Sequence, residues 1–177
     1  MKIVLFIALL YAGAVSSQSR IYDLSIKGLD GQSINLADYA GKKIIIAAIS
    51  ADNLQKGQLR VLDSIQSANP SVVLITVPAS DYKGTNDSLE IDAIRSNKSL
   101  KVRVAASDMV KKSNGKSQNP LLKWLTNVSD NSHFDLDVTT DSQLYVVSES
   151  GVLFAVLEKG APLSLIDTLI RQPDVKQ

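Results

Sequence analysis

The stretch Lys42-Lys43-Ile44-Ile45-Ile46-Ala47-Ala48-Ile49-Ser50-Ala51-Asp52-Asn53 decides the fold. Its apolar run, Ile44 to Ile49, is continuous rather than alternating and has the length of a strand. That is the pattern of a strand buried on both faces of a central sheet. Ser50-Ala51-Asp52-Asn53 breaks the run, and a helical pattern follows. In open α/β sheets, ligands and catalytic groups gather in the loop after such a strand. The functional question is therefore what residues 50–53 can do.

Working outward, Leu54, Leu59, Val61, Leu62 and Ile65 predict a helix that closes near Asn69-Pro70. Val61, Leu62 and Ile65 share one face of it. Val72 to Val77 is a second apolar strand, so the centre reads as a parallel strand–helix–strand unit. Upstream, Tyr22, Leu24 and Ile26 alternate with polar residues and predict a half-buried strand over Ser19–Lys27. Leu29-Asp30-Gly31-Gln32 reads as a turn and Ser33–Leu36 as a short returning strand. Ala37 to Gly41 reads as a helical turn stopped by Gly41. Downstream, Asp87 or Ser88 is placed to cap a helix carrying Leu89, Ile91 and Ile94. Val102 and Val104 suggest a brief strand, and Lys111–Asn119 reads as a polar loop. Pro120 opens a helix with Leu121, Leu122, Trp124 and Leu125 that ends near Asn127. Asn127–Asp141 reads as a long polar connection. Leu144–Val147 and Val152–Leu157 form a hairpin about Glu149-Ser150-Gly151, and Leu163–Ile170 a last helix. This order of elements is that of a thioredoxin-like α/β sandwich.

The chain has 177 residues, 45% of them apolar, enough for one domain with a real core. Met1-Lys2, the apolar run Ile3–Ala14 and the small residues Ala14 and Ser16 match the three regions of a cleavable signal peptide. We expect a signal peptide over residues 1–17, a mature domain over 18–177, and a secreted or periplasmic location. The same run would otherwise form a buried first strand or helix. It is too short for a comfortable membrane span, and no Cys follows it to carry a lipoprotein anchor. No membrane association is expected after cleavage. Removal of Met1–Ser17 takes Lys2 from the 19 basic residues and leaves 18 against 18 acidic ones. No basic stripe points to nucleic acid. The chain has no cysteine, which excludes disulfide stapling, thiol nucleophiles and thiolate metal sites.

Several segments, in order and spacing, resemble the glutathione peroxidase family. Tyr22-Asp23-Leu24, Leu29-Asp30-Gly31 and Ile34–Lys42 resemble its opening hairpin and helical turn. Lys111-Lys112-Ser113-Asn114-Gly115 and Asn119-Pro120-Leu121-Leu122-Lys123-Trp124-Leu125 resemble its loop and its Pro-Leu helix. Leu144–Gly151 resembles its late strand and turn. The resemblance spans nearly the whole mature chain. It implies a thioredoxin-like three-layer sandwich about a central mixed β-sheet and, in an intact member, peroxidase chemistry tied to oxidative stress. The catalytic set departs from the family's pattern. Asp52 stands where the family has its Cys or selenocysteine. Val77-Pro78-Ala79-Ser80-Asp81-Tyr82 stands for Phe-Pro-x-Asn-Gln-Phe, so Ser80 replaces the Asn and Asp81 the Gln. Thr140-Asp141 falls on the Trp-Asn pair.

Peroxide reduction needs a soft nucleophile that can be oxidised and recycled. A carboxylate is not one, and Met109 is a poor substitute. The expectation is therefore a family member without thiol peroxidase activity, with a protein partner or small ligand and no cofactor. The alternative is a carboxylate enzyme or a hard-cation site built from Asp52, Asp81 and Asp141, with oxygens of Ser50, Ser80 or Thr140. The bland reading makes these solvated loop residues, with Asp52 a helix cap. His133 reads as an exposed loop residue, and Trp124 and Tyr82 as packing residues. Asn86-Asp87-Ser88, Asn97-Lys98-Ser99 and Asn127-Val128-Ser129 are glycosylation acceptors only in a eukaryotic secretory route. The signal and the resemblance read as bacterial, which sets them aside at this level.

Overall fold

The computed structural model describes residues 20–50, 57–82, 92, 94, 96, 97 and 99–174. The signal-peptide segment, Asp52, the start of the helix at Leu54 and the Asp87 or Ser88 cap lie outside these residues.

Among the described residues there are seven strands: β1 (Ser25–Lys27), β2 (Ser33–Asn35), β3 (Ile44–Ser50), β4 (Val73–Ala79), β5 (Arg103–Val104), β6 (Gln143–Val147) and β7 (Leu153–Leu157). Helices are α1 (Leu59–Ala68), α2 (Pro120–Thr126), the single turn α3 (Val128–Asn131) and α4 (Leu163–Arg171). The main sheet runs β5-β4-β3-β6-β7. β3 is parallel to β4, and β4 to β5, whereas β6 is antiparallel to both β3 and β7. The sheet is mixed, with β3 at its centre.

Every residue of β3 and of β4 is buried, as their unbroken apolar runs require. Alternate residues go to opposite faces. Ile44, Ile46, Ile75, Val77, Tyr145 and Val147 join Leu121, Leu122, Trp124 and Leu125 of α2 on one side. Ile45, Ala47, Ile49, Leu74, Leu144 and Val146 join Leu59 and Leu62 of α1 and Ile166 of α4 on the other. The result is a three-layer sandwich. Each fully buried aliphatic side chain contributes roughly 1.5–3 kcal/mol of transfer free energy.

Three details differ from the sequence-based expectation. The strand expected over Ser19–Lys27 begins with a tight helical turn, Ile21–Asp23, and only Ser25–Lys27 is extended. The turn closes because Leu24 N–H donates to Ile21 O at 3.1 Å and Arg20 N–H to Asp23 Oδ2 at 3.3 Å, and Ile21 enters the core. Such local side-chain to backbone bonds compete with a strand. The Lys111–Asn119 loop contains a tightly wound segment, Lys112–Ser117. The polar connection after Asn127 contains α3, locked by the buried Asn131. Asn131 Nδ2 donates to the carbonyls of Trp124, Leu125 and Phe134, and its Oδ1 accepts from the His133 and Phe134 N–H groups.

α2 starts where Asn119 and Pro120 predicted. Asn119 Oδ1 accepts from Leu121 N at 3.0 Å and Leu122 N at 3.3 Å, filling orphan donors of the first turn. The end of α4 is fixed from another element. Lys43 is only 2% exposed, and its ammonium donates to the carbonyls of Leu169, Ile170 and Gln172 at 3.0, 2.9 and 2.6 Å. Glu149 lies 3.6 Å away and the Phe154 ring 5.6 Å away. A cation belongs at the electronegative end of a helix, and this one anchors α4 to the start of β3.

Candidate functional site

The parallel register sets Ser50 beside Ala79 at the carboxyl ends of β3 and β4. The candidate site lies at this edge, among residues 80–82 and 137–142. Asp141 closes it against β3. Its Oδ1 accepts from Ser50 N–H at 2.7 Å, and its Oδ2 lies 3.6 Å from Lys159 Nζ. Ser142, the next residue, has φ +67°, a left-handed conformation that L residues adopt at a cost of roughly 1–2 kcal/mol. Its N–H donates to Ala48 O at 2.8 Å. That bond and the Asp141 contact hold the strained turn at the site's rim.

Asp81 faces a different element. One or both of its carboxylate oxygens accept from Val110 N at 3.2 Å, Lys111 N at 2.9 Å and Asn114 Nδ2 at 2.6 Å. The carboxylate thus clamps the 110–114 loop with charge-assisted bonds. Ser80 is exposed, and its N–H donates to Asp108 O at 2.9 Å. The Thr140 hydroxyl is buried without a hydrogen-bond partner among the described residues.

Tyr82 packs against the core, with its hydroxyl donating to Val138 O at 3.3 Å and Lys111 Nζ 4.3 Å from its ring centroid. Burial pushes its pKa up to about 12, and the charges of Asp141, Asp81 and Asp137 add to the rise. Among the described residues no group of three His, Cys, Asp or Glu side chains is placed to hold a metal ion. His133 is exposed and bonds to Asn131, its Nδ1 lying 2.8 Å from Asn131 O. Trp124 is core.

Sequence reasoning did not find Gln143, which shapes the site from beneath. Its Oε1 accepts from Thr139 N at 3.0 Å and Thr140 N at 3.4 Å. Its Nε2 donates to Asp137 O at 3.1 Å and Tyr145 Oη at 2.9 Å. Burial raises the Tyr145 phenol well above the usual tyrosine value, keeping it neutral. A lone Gln in a strand carries no sequence signal for this role. Lys159 was also missed, since it comes from the turn after β7.

No family model matches the chain. Glutathione peroxidase 1 of Caenorhabditis elegans is 30% identical over 122 residues, covering 66% of this chain and 74% of that protein. The chain belongs to the glutathione peroxidase family. Solved structures agree on the fold. Trgpx in its apo form is 17% identical with a TM-score of 0.62, covering 89% of this chain and 99% of that one. GPX1 of T. cruzi is 13% identical with a TM-score of 0.61, covering 86% and 94%. DsbF of M. tuberculosis (MTB), at 14% identity and a TM-score of 0.55, covers 87% and 97% and shares the fold. In this glutathione peroxidase family member the thioredoxin-like scaffold is present. The described site residues offer carboxylates bound to N–H and ammonium groups, hydroxyls and a neutral phenol, and no soft nucleophile.

Proposed function

We propose that the chain is an exported glutathione peroxidase family protein that lacks thiol peroxidase activity and acts as a binding or interaction module. The observation that carries this reading is the absence of cysteine from the whole chain. The family's reaction needs a thiolate or selenolate that peroxide oxidises and a thiol then regenerates, and Asp52 at that position can do neither. The commitments of Asp81 to the 110–114 loop and of Asp141 to Ser50 support the reading. These carboxylates are used to shape the site rather than left converging on a reactant. The Met1–Ser17 pattern supports export.

Purified residues 18–177, mixed with hydrogen peroxide and either glutathione or a reduced thioredoxin, should consume peroxide no faster than buffer containing the same thiol. Protein-dependent, saturable turnover would overturn the proposal. Export is checked by fractionating cells that express the full chain and reading the N-terminus of the exported product, expected near Gln18.

A further inference from the structure

The family match reopens one motif. The relative that establishes the family is an animal protein, from the nematode Caenorhabditis elegans, so the three Asn-x-Ser triplets matter again for an exported chain. The structure separates them. Asn86 lies outside the described residues. Asn127 is half-buried between α2 and α3, and its Nδ2 is engaged, donating to Lys123 O at 2.6 Å and Thr126 Oγ1 at 3.3 Å.

Asn97 is different. It is exposed, at the turn that leads from Ile94 to Leu100. Asn97 N–H donates to Ile94 O at 3.1 Å, and Leu100 N–H to Asn97 O at 3.4 Å. Its side-chain Oδ1 accepts from both the N–H and the hydroxyl of Ser99, at 3.1 and 2.6 Å. This is an Asx turn that holds the two chemically required members of the triplet against each other. With Oδ1 turned to Ser99, Nδ2 has no hydrogen-bond partner among the described residues. The residue sits on the rim of an open groove of about 520 Å³ beside Gln32, Ser33 and Arg103. A bulky substituent on Nδ2 therefore breaks no hydrogen bond among the described residues and has room to extend.

We propose that Asn97 is an N-glycosylation site, modified during export. The transfer forms a bond between Nδ2 and the anomeric carbon of an oligosaccharide. It breaks that carbon's bond to the pyrophosphate of a lipid-linked donor, which leaves with the electron pair. One Nδ2 proton goes to a base of the transferring enzyme, and nothing is oxidised or reduced. The glycan would stand at the groove that Asn97 shares with Arg103 and Val104 of β5. The site rests on the export reading, because only the secretory route supplies the donor.

The test expresses the full chain, Met1–Gln177, in animal cells, alongside a form in which an unrelated secretory leader replaces Met1–Ser17. Exported protein is treated with peptide N-glycosidase, and the peptide containing Asn97 is read by mass spectrometry. The expected result is a glycan at Asn97, converted to Asp by the enzyme. The Asn97→Gln and Ser99→Ala variants should each lose one glycosidase-sensitive mobility step. Exported protein with unmodified Asn97 overturns the proposal. If the native-leader chain stays in the cytosol, the export reading falls, and the substituted-leader form still decides Asn97.

Discussion

At the scale of single residues, the described carboxylates of the candidate site are engaged in hydrogen bonds to the backbone. Asp81 shows this most directly. Three N–H donors from the 110–114 loop converge on one carboxylate, and hydrogen bonds to a charged group each contribute about 1.5–3 kcal/mol. Asp81→Ala should lower the unfolding free energy by about 2–3 kcal/mol, read from urea titration. It should also speed amide exchange at Val110 and Lys111 while leaving β3 protected. Tyr82 makes a pH prediction. Folded, it keeps its proton to about 12, against an ordinary value of 10.0. The unfolded chain thus holds fewer protons above pH 10, and stability falls with rising pH there. The contribution is whole below pH 10 and lost as the pH passes about 12. Tyr22 and Tyr145 are raised as well, both chiefly by burial, so the alkaline loss is shared. Tyr82→Phe should flatten, without abolishing, the decline in urea midpoint between pH 10 and pH 12. An unchanged slope would show that the phenol is not responsible.

At the scale of elements, α4 depends on a residue far away in sequence. Its last carbonyls have no intrahelical partner, and the Lys43 ammonium serves three of them from the start of β3. Lys43→Met keeps the apolar stem but leaves these carbonyls and Glu149 without their cation. A loss of about 2–3 kcal/mol is expected, with fraying of α4 visible in amide exchange before global unfolding. Lys43→Arg should recover part of the loss, and equal protection of α4 in wild type and Lys43→Met would remove this account. The β6–β7 turn is just as specific. Gly151 has φ +85°, and a Cβ there would meet the Tyr22 ring at 2.8 Å. Only glycine fits both the backbone conformation and the close approach.

At the scale of the whole molecule, the family's fold is built by a chain that contains no cysteine. A sheet whose β3 and β4 are buried on both faces derives its stability from residues that have no part in the chemistry, so nothing in the core required the nucleophile to persist. Placing a thiol at residue 52 alone should therefore not confer peroxidase activity. Asp52→Cys is expected to react with peroxide no faster than an ordinary thiol of pKa about 8.5, since the proposed correspondence puts the carboxylates Asp81 and Asp141 where the family has amides. Stopped-flow oxidation faster than that of free cysteine would contradict this. The sequence by itself determined the sheet's centre, since a continuous apolar run such as Ile44–Ile49 is compatible with burial on both faces and little else. It also fixed the helix start at Asn119-Pro120 and the absence of thiol chemistry, which are local or compositional facts. It did not reveal the turn at Ile21–Asp23, the buried Lys43 at the end of α4, or the Gln143 network under the site. Nor did it show that Asp81 serves a loop whereas Asp141 binds β3. The Asp81, Asp141 and Lys43 contacts join partners 29 to 129 residues apart in the chain, whereas the turn and the Gln143 network join residues two to six apart; in both cases the hydrogen bonds of a polar side chain are chosen by whichever donors and acceptors the folded chain places within about 3 Å of it.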